Sequence, residues 1–79
     1  MTPPKIQESI REVREQKGWN TLRMAQHVCL SERQIEQLEG EPGDSFYSDH
    51  IRLAAAKRVL ARMGYNSEQL NHLFSVAID

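Results

Sequence analysis

Four polar residues on one short stretch, Glu32, Arg33, Glu36 and Gln37, have the types and spacing for a recognition chemistry. A helix over about residues 32–39 turns Ile35 and Leu38 inward and presents these four outward. There, Arg33 suits a bidentate contact with guanine, Gln37 one with adenine, and Glu32 can accept from the amino group of cytosine. Glu36 has no comparable role. Three carboxylates on so short a helix also repel phosphates, on which affinity for nucleic acid largely rests. A solvated face without a ligand is therefore the alternative reading of the same residues.

Other chemistries find no support in the residue pattern. His27, His50 and His72 are far apart, and His27-x-Cys29 alone cannot supply a four-ligand metal site, so no metal is expected. Ser48-Asp49-His50 contains the residue types of a catalytic triad, but neighbours at a helix start do not converge on one point. There is no glycine-rich phosphate loop or nucleophile elbow, so neither a cofactor nor an enzymatic activity is expected.

Seventy-nine residues make one domain, residues 1–79, of marginal stability. No apolar run approaches the roughly 20 residues needed to cross a bilayer, and the first residues form no signal-like segment, so a soluble, cytoplasmic chain is expected. The lone Cys29 cannot form an internal disulfide and reads as a small buried apolar residue.

The net charge of −1 hides an uneven distribution. From Asn20 to Ser45, Arg23 and Arg33 face Glu32, Glu36, Glu39, Glu41 and Asp44, which makes the candidate reading surface acidic. From Ser48 to Gly64 the balance reverses: Arg52, Lys57, Arg58 and Arg62 stand against Asp49 alone.

The elements that position these side chains follow from apolar periodicity. Five helices are expected, over about residues 4–17, 21–28, 32–39, 49–63 and 67–77. Pro3-Pro4 lead into the first, after an unstructured Met1-Thr2, and Gly18 stops it. Trp19 reads as core filler at the gap between the first two helices rather than as a stacking platform. Asn20 caps the second helix and Ser31 the third. The rhythm Met24, Ala25, Val28, Leu30, Ile35, Leu38 breaks at Cys29-Leu30-Ser31, where a tight turn joins the two.

Glu41 to Ser45 is a turn, Phe46-Tyr47 pack beneath it, and Ser48 or Asp49 caps the fourth helix. That helix has a wide apolar surface and should be the central packing element. In the last helix, which opens on a capping box of Asn66 and Gln69, the stripe Leu70, Leu73, Phe74, Ala77 either closes the core or forms a dimer seam; closing the core suits so small a domain better.

The two-helix pattern over Thr21 to Gly40 resembles the helix-turn-helix of the lambda-repressor-like (XRE) family, with Cys29 where that family usually has glycine. The segment IREVREQKG also resembles the family's first helix, R-x-x-R-E-x-x-G, through Arg11, Arg14, Glu15 and Gly18. The resemblance implies an all-α, compact five-helix domain with the helix-turn-helix at helices two and three. It further implies a partly buried ion pair between Arg14 and Glu39, and a recognition helix whose Glu32, Arg33 and Gln37 reach base edges of double-stranded DNA. Thr21 and the opening amide of helix two would contact phosphate, and the DNA-binding set as a whole is Thr21, Ser31, Glu32, Arg33, Glu36 and Gln37.

A second, narrower resemblance lies in FYSDHIRLAAAKRVLARMG. Phe46, Ile51 and Arg52 are similar to the start of the segment that follows the helix-turn-helix in the RodZ-like subgroup, scaffold proteins whose cytoplasmic domain has this fold. The first expectation is thus a transcriptional regulator whose affinity for duplex DNA is modest unless two copies bind together as a homodimer, since most proteins of this size and fold recognise paired half-sites about one helical turn apart. The alternative is a protein-interaction module without nucleic acid, whose basic face of Arg52, Lys57, Arg58 and Arg62 attracts an acidic protein partner.

Overall fold

Proline's fixed φ starts the first helix: Pro4 holds its opening position, where the missing N–H needs no partner. In the computed structural model, which describes residues 1–78 and their side chains through residue 77, this helix, α1, runs Pro4–Gln16. It is followed by α2 (Thr21–Val28), α3 (Glu32–Leu38), α4 (Asp49–Arg62) and α5 (Ser67–Ile78). The described residues are all-α, without a strand.

Side-chain caps set where the helices begin. Asn20 Oδ1 accepts from the Arg23 amide at 2.8 Å and Ser48 Oγ from the Ile51 amide at 3.2 Å. Ser31 does more than the single cap expected of it. Its Oγ accepts from the Gln34 amide at 3.1 Å while Gln34 Oε1 accepts from the Ser31 amide at 3.0 Å, a full capping box. Asn66 and Gln69 form the same reciprocal pair at the start of α5.

Helices α1, α3 and α4 end one residue earlier than the periodicity predicts. Lys17, Glu39 and Met63 are cap residues whose ψ values of −9°, 7° and 4° no longer continue the ladder. Helix α5 runs one residue further than expected.

The corner between α2 and α3 is made by Cys29, which has φ 61° and ψ 41°, the left-handed conformation that a side chain adopts only at some steric cost. The expectation of a buried Cys29 is corrected: the residue is exposed, because a left-handed turn projects its side chain away from the helices it joins. The chain closes behind it through the Leu30 amide, which donates to the Ala25 carbonyl at 3.0 Å.

One apolar cluster gathers all five helices. Ile6 and Ile10 of α1 meet Met24, Ala25 and Val28 of α2, Ile35 and Leu38 of α3, Ala56, Val59 and Leu60 of α4, and Leu70 of α5, with Phe46 beside them. Leu73, Phe74 and Ala77 pack on its edge, so the α5 stripe is used to close the core. Helix α1, rather than α4, has the wider set of neighbours: it packs against α3, α4 and α5. The reason lies in α4 itself, where the stripe through Ala56, Val59 and Leu60 faces the core while Ile51 and Ala54 face solvent.

Phe46 is buried, but its neighbour Tyr47 is 96% exposed, not packed beneath the loop as its apolar type suggested. Among the described residues, no helix is long and apolar enough to cross a membrane.

Candidate functional site

The first turn of α3 stands free of the core. Ser31, Glu32 and Arg33 are exposed, and Glu36 one turn further on is half-buried. Thr21, at the start of α2, lies next to this turn: its hydroxyl donates to Glu32 Oε2 at 2.7 Å. The structure therefore brings Thr21, Ser31, Glu32 and Arg33 to one corner. It also engages the Thr21 hydroxyl and the Glu32 carboxylate with each other, so a phosphate at Thr21 would have to displace that hydrogen bond.

Gln37 does not join this corner, which corrects the expectation that it faces outward with Arg33. It is only 3% exposed. The loop after α3 folds back over the helix and claims the carboxamide: Nε2 donates to Ser45 Oγ at 2.9 Å and Oε1 accepts from the Ser45 amide at 3.0 Å. From the other side, Thr2 Oγ1 donates to the Gln37 carbonyl at 2.9 Å, and Gln7 Nε2 donates to the Thr2 carbonyl. Thr2, expected to be unstructured, is 1% exposed because it fills this network.

Gln37→Ala should therefore act on folding before it acts on any ligand. The expected loss is about 1.5 kcal/mol, since two partly buried hydrogen bonds go and Ser45 is left without its acceptor. Urea denaturation checks it; unchanged stability would mean that the carboxamide is free to read a base.

Behind the corner, Arg14 and Glu39 bind each other. Arg14 Nε donates to Glu39 Oε2 at 2.7 Å and Nη2 to Oε1 at 2.8 Å, a two-pronged pair whose side chains are 15% and 7% exposed. Arg14 Nη1 also donates to the Trp19 carbonyl at 2.9 Å, and Arg11 Nη2 to the Glu39 carbonyl at 2.7 Å. One guanidinium thus ties the end of α1, the chain leading to α2 and the end of α3. Its hydrogen bonds to Glu39 hold the Arg14 pKa above the ordinary arginine value, against the opposing effect of burial.

Apolar periodicity does not show what surrounds Trp19. Its half-buried ring sits 4.9 Å from the His27 ring, tilted by 53°, and the Arg23 guanidinium lies 5.6 Å from its centroid. The spacing Trp19, Arg23, His27 is i, i+4, i+8, a helical signal in polar and aromatic residues rather than aliphatic ones. Arg23, one of the two cations between Asn20 and Ser45, is therefore held over an indole face.

The basic face of α4 is smaller than expected. Lys57, Arg58 and Arg62 are exposed, but Arg52 is 9% exposed and belongs to the interior. Its Nη1 donates to Asp49 Oδ1 at 3.0 Å, its Nη2 to the Gly43 carbonyl at 3.2 Å, and its guanidinium lies 5.8 Å from the Phe46 ring centroid. The physical reason is register: Arg52 precedes Ala56 by one turn on the stripe that faces the core, and the α3–α4 loop covers it. Arg52 thus secures the same loop that sequesters Gln37.

Around the exposed corner the charge remains acidic. Arg33 is bordered by Glu36 and Glu41 along a shallow groove that also touches Gln37 and Pro42. In comparisons with known proteins, no family model, no curated protein and no solved structure matches this chain.

Proposed function

We propose that this chain is a helix-turn-helix module of the XRE type, a transcriptional regulator that sets the first turn of α3 into the major groove of double-stranded DNA. The observation that carries the reading is the corner itself: two side-chain-capped helices joined through a left-handed Cys29, with Ser31, Glu32 and Arg33 exposed on the leading turn of the second. In this reading Arg33 contacts guanine and Glu32 accepts from cytosine, while Gln37 serves the fold. Ser31 and the opening turn of α2 at Thr21 border the phosphate backbone.

Affinity is modest in this account. Arg33 lines the groove beside the reading turn together with Glu36 and Glu41, and Arg11 lies with Thr21 along a neighbouring one. With about two phosphates neutralised, log affinity should fall with log salt at a slope of about −2. Anisotropy of a labelled random duplex, titrated with salt, measures that slope. A zero slope, or no binding at low salt, would remove DNA from the account.

A second reading is favoured by one observation, the withdrawal of Gln37 from the surface of an already acidic helix. It makes the chain an interaction module of the RodZ-like kind, which keeps the fold and binds an acidic protein through α4.

A further inference from the structure

A cleft lies between the end of α2 and the C-terminal half of α4, away from the corner formed by Thr21 and α3. Val28 and Val59 form its nearly buried floor, Cys29 and Ala61 its lips, and Arg58 and Arg62 its rim. The two arginines are four residues apart, so they stand one above the other on the same side of α4.

Among the described residues neither Arg58 nor Arg62 forms an ion pair, whereas Arg11, Arg14 and Arg52 each do. Among the described residues no carboxylate lines the cleft. Two uncompensated cations at one turn's spacing above an apolar floor call for a ligand with carboxylates at the same spacing and an apolar side chain between them. A duplex would satisfy the cations and leave the floor empty.

We propose that this cleft docks an amphipathic helical segment of another protein, with acidic residues at i and i+4 pairing Arg58 and Arg62 and an intervening leucine-like side chain on Val28 and Val59. The inference rests on the second reading above and gives it a place: not the whole basic face of α4, but its last two turns together with the Cys29 corner. Lys57 adds charge beside the rim without lining the cleft. The left-handed turn contributes by ending α2 at Val28 and setting the exposed Cys29 at the lip of the cleft.

The test uses an acetylated, amidated helical peptide with glutamates four residues apart flanking leucines, a matched peptide with glutamines in their place, and a DNA duplex. Amide chemical shifts of the labelled protein are followed with each. The expected result is that the glutamate peptide shifts Val28 to Leu30 and Arg58 to Arg62. Its affinity should fall about tenfold with the glutamine peptide, and by at least as much in the R58E/R62E variant. Ala61→Phe, at an exposed position that fills the cleft, should also abolish those shifts while leaving the rest of the spectrum unchanged.

Shifts from the glutamate peptide that map elsewhere, for example around Tyr47 and Ile51, would overturn the cleft while the interaction-module reading survives. Absence of any peptide binding, with duplex shifts at Ser31 to Arg33, would overturn both. Duplex shifts at Arg58 and Arg62 without peptide binding would make the rim a phosphate contact, and the proposal would fall.

Discussion

Arg14→Ala is expected to lower the free energy of unfolding by about 3 kcal/mol, the lower end of what breaking a buried ion pair costs. The Glu39 carboxylate would remain almost wholly buried, having lost two hydrogen bonds at 2.7 and 2.8 Å. The value sits at the low end because Arg11 Nε is 3.6 Å from Glu39 Oε1 and half exposed, so it can move in as a partial substitute. For a domain of this size, whose total stability is on the order of 5 kcal/mol, such a loss removes most of the margin. Arg14→Lys should recover less than half of it, because an ammonium restores the charge but not the planar two-pronged contact. Urea denaturation of the two variants checks both statements. A loss below about 0.5 kcal/mol for Arg14→Ala, the range of an ordinary surface substitution, would show that the clamp between α1 and α3 is not structural.

Gly43→Ala is expected to cost about 2 kcal/mol, although Gly43 is exposed and makes no side-chain contact of its own. Its φ of 152° lies where a side chain is strained, and a Cβ placed there would lie 2.7 Å from Gln37 Cδ. A flexible side chain usually moves aside cheaply. Gln37 cannot, since moving breaks both hydrogen bonds to Ser45. The cause can be isolated by a double-mutant cycle with Gln37→Ala: once the carboxamide is gone, the alanine meets little, and the two losses should fall short of additivity by about 1 kcal/mol. Strict additivity in denaturation midpoints would place the strain in the backbone alone. Gly43→Ala should also loosen the loop that covers Gln37, so any gain in duplex affinity from this variant would come from the carboxamide newly reaching solvent.

The aliphatic residues and the caps made much of this architecture legible. Ile6 and Ile10 sit one turn apart on α1, and Asn20 and Ser31 stand where the helices they cap begin. These are local signals, read over four or five residues, and five helices follow from them. What was not legible depends on segments that return from elsewhere. Gln37 lies one turn beyond Arg33, so helical spacing puts both on the outer face. The difference is made by the loop that closes over the last turn of α3, and nothing in α3's own periodicity records that path. Thr2 is illegible for the same reason, since its burial comes with hydrogen bonds to Gln37 and Gln7, far from it in sequence or on another element. The break in periodicity puts Cys29 at the corner and its residue type suggests the interior, whereas its left-handed backbone turns it outward. The burial of Arg52 does carry a local signal, since the residue is in register with Ala56, Val59 and Leu60.

The candidate site is accordingly smaller than the run of polar residues on α3. Ser31, Glu32 and Arg33 remain on a free first turn, Thr21 borders it, and Arg14 with Glu39 fixes the angle at which α3 is presented. For the proposed DNA reading, electrostatics and geometry pull apart here: the first turn of α3 is exposed, while its carboxylates weaken attraction to a polyanion.

Amide chemical-shift mapping with a mixed-sequence duplex at low salt tests this account most directly. Shifts should concentrate at Thr21 and at Ser31 to Arg33, with the Gln37 side-chain amide unmoved. Shifts confined to Lys57, Arg58 and Arg62, or a moving Gln37 amide beside a silent Arg33, would contradict it.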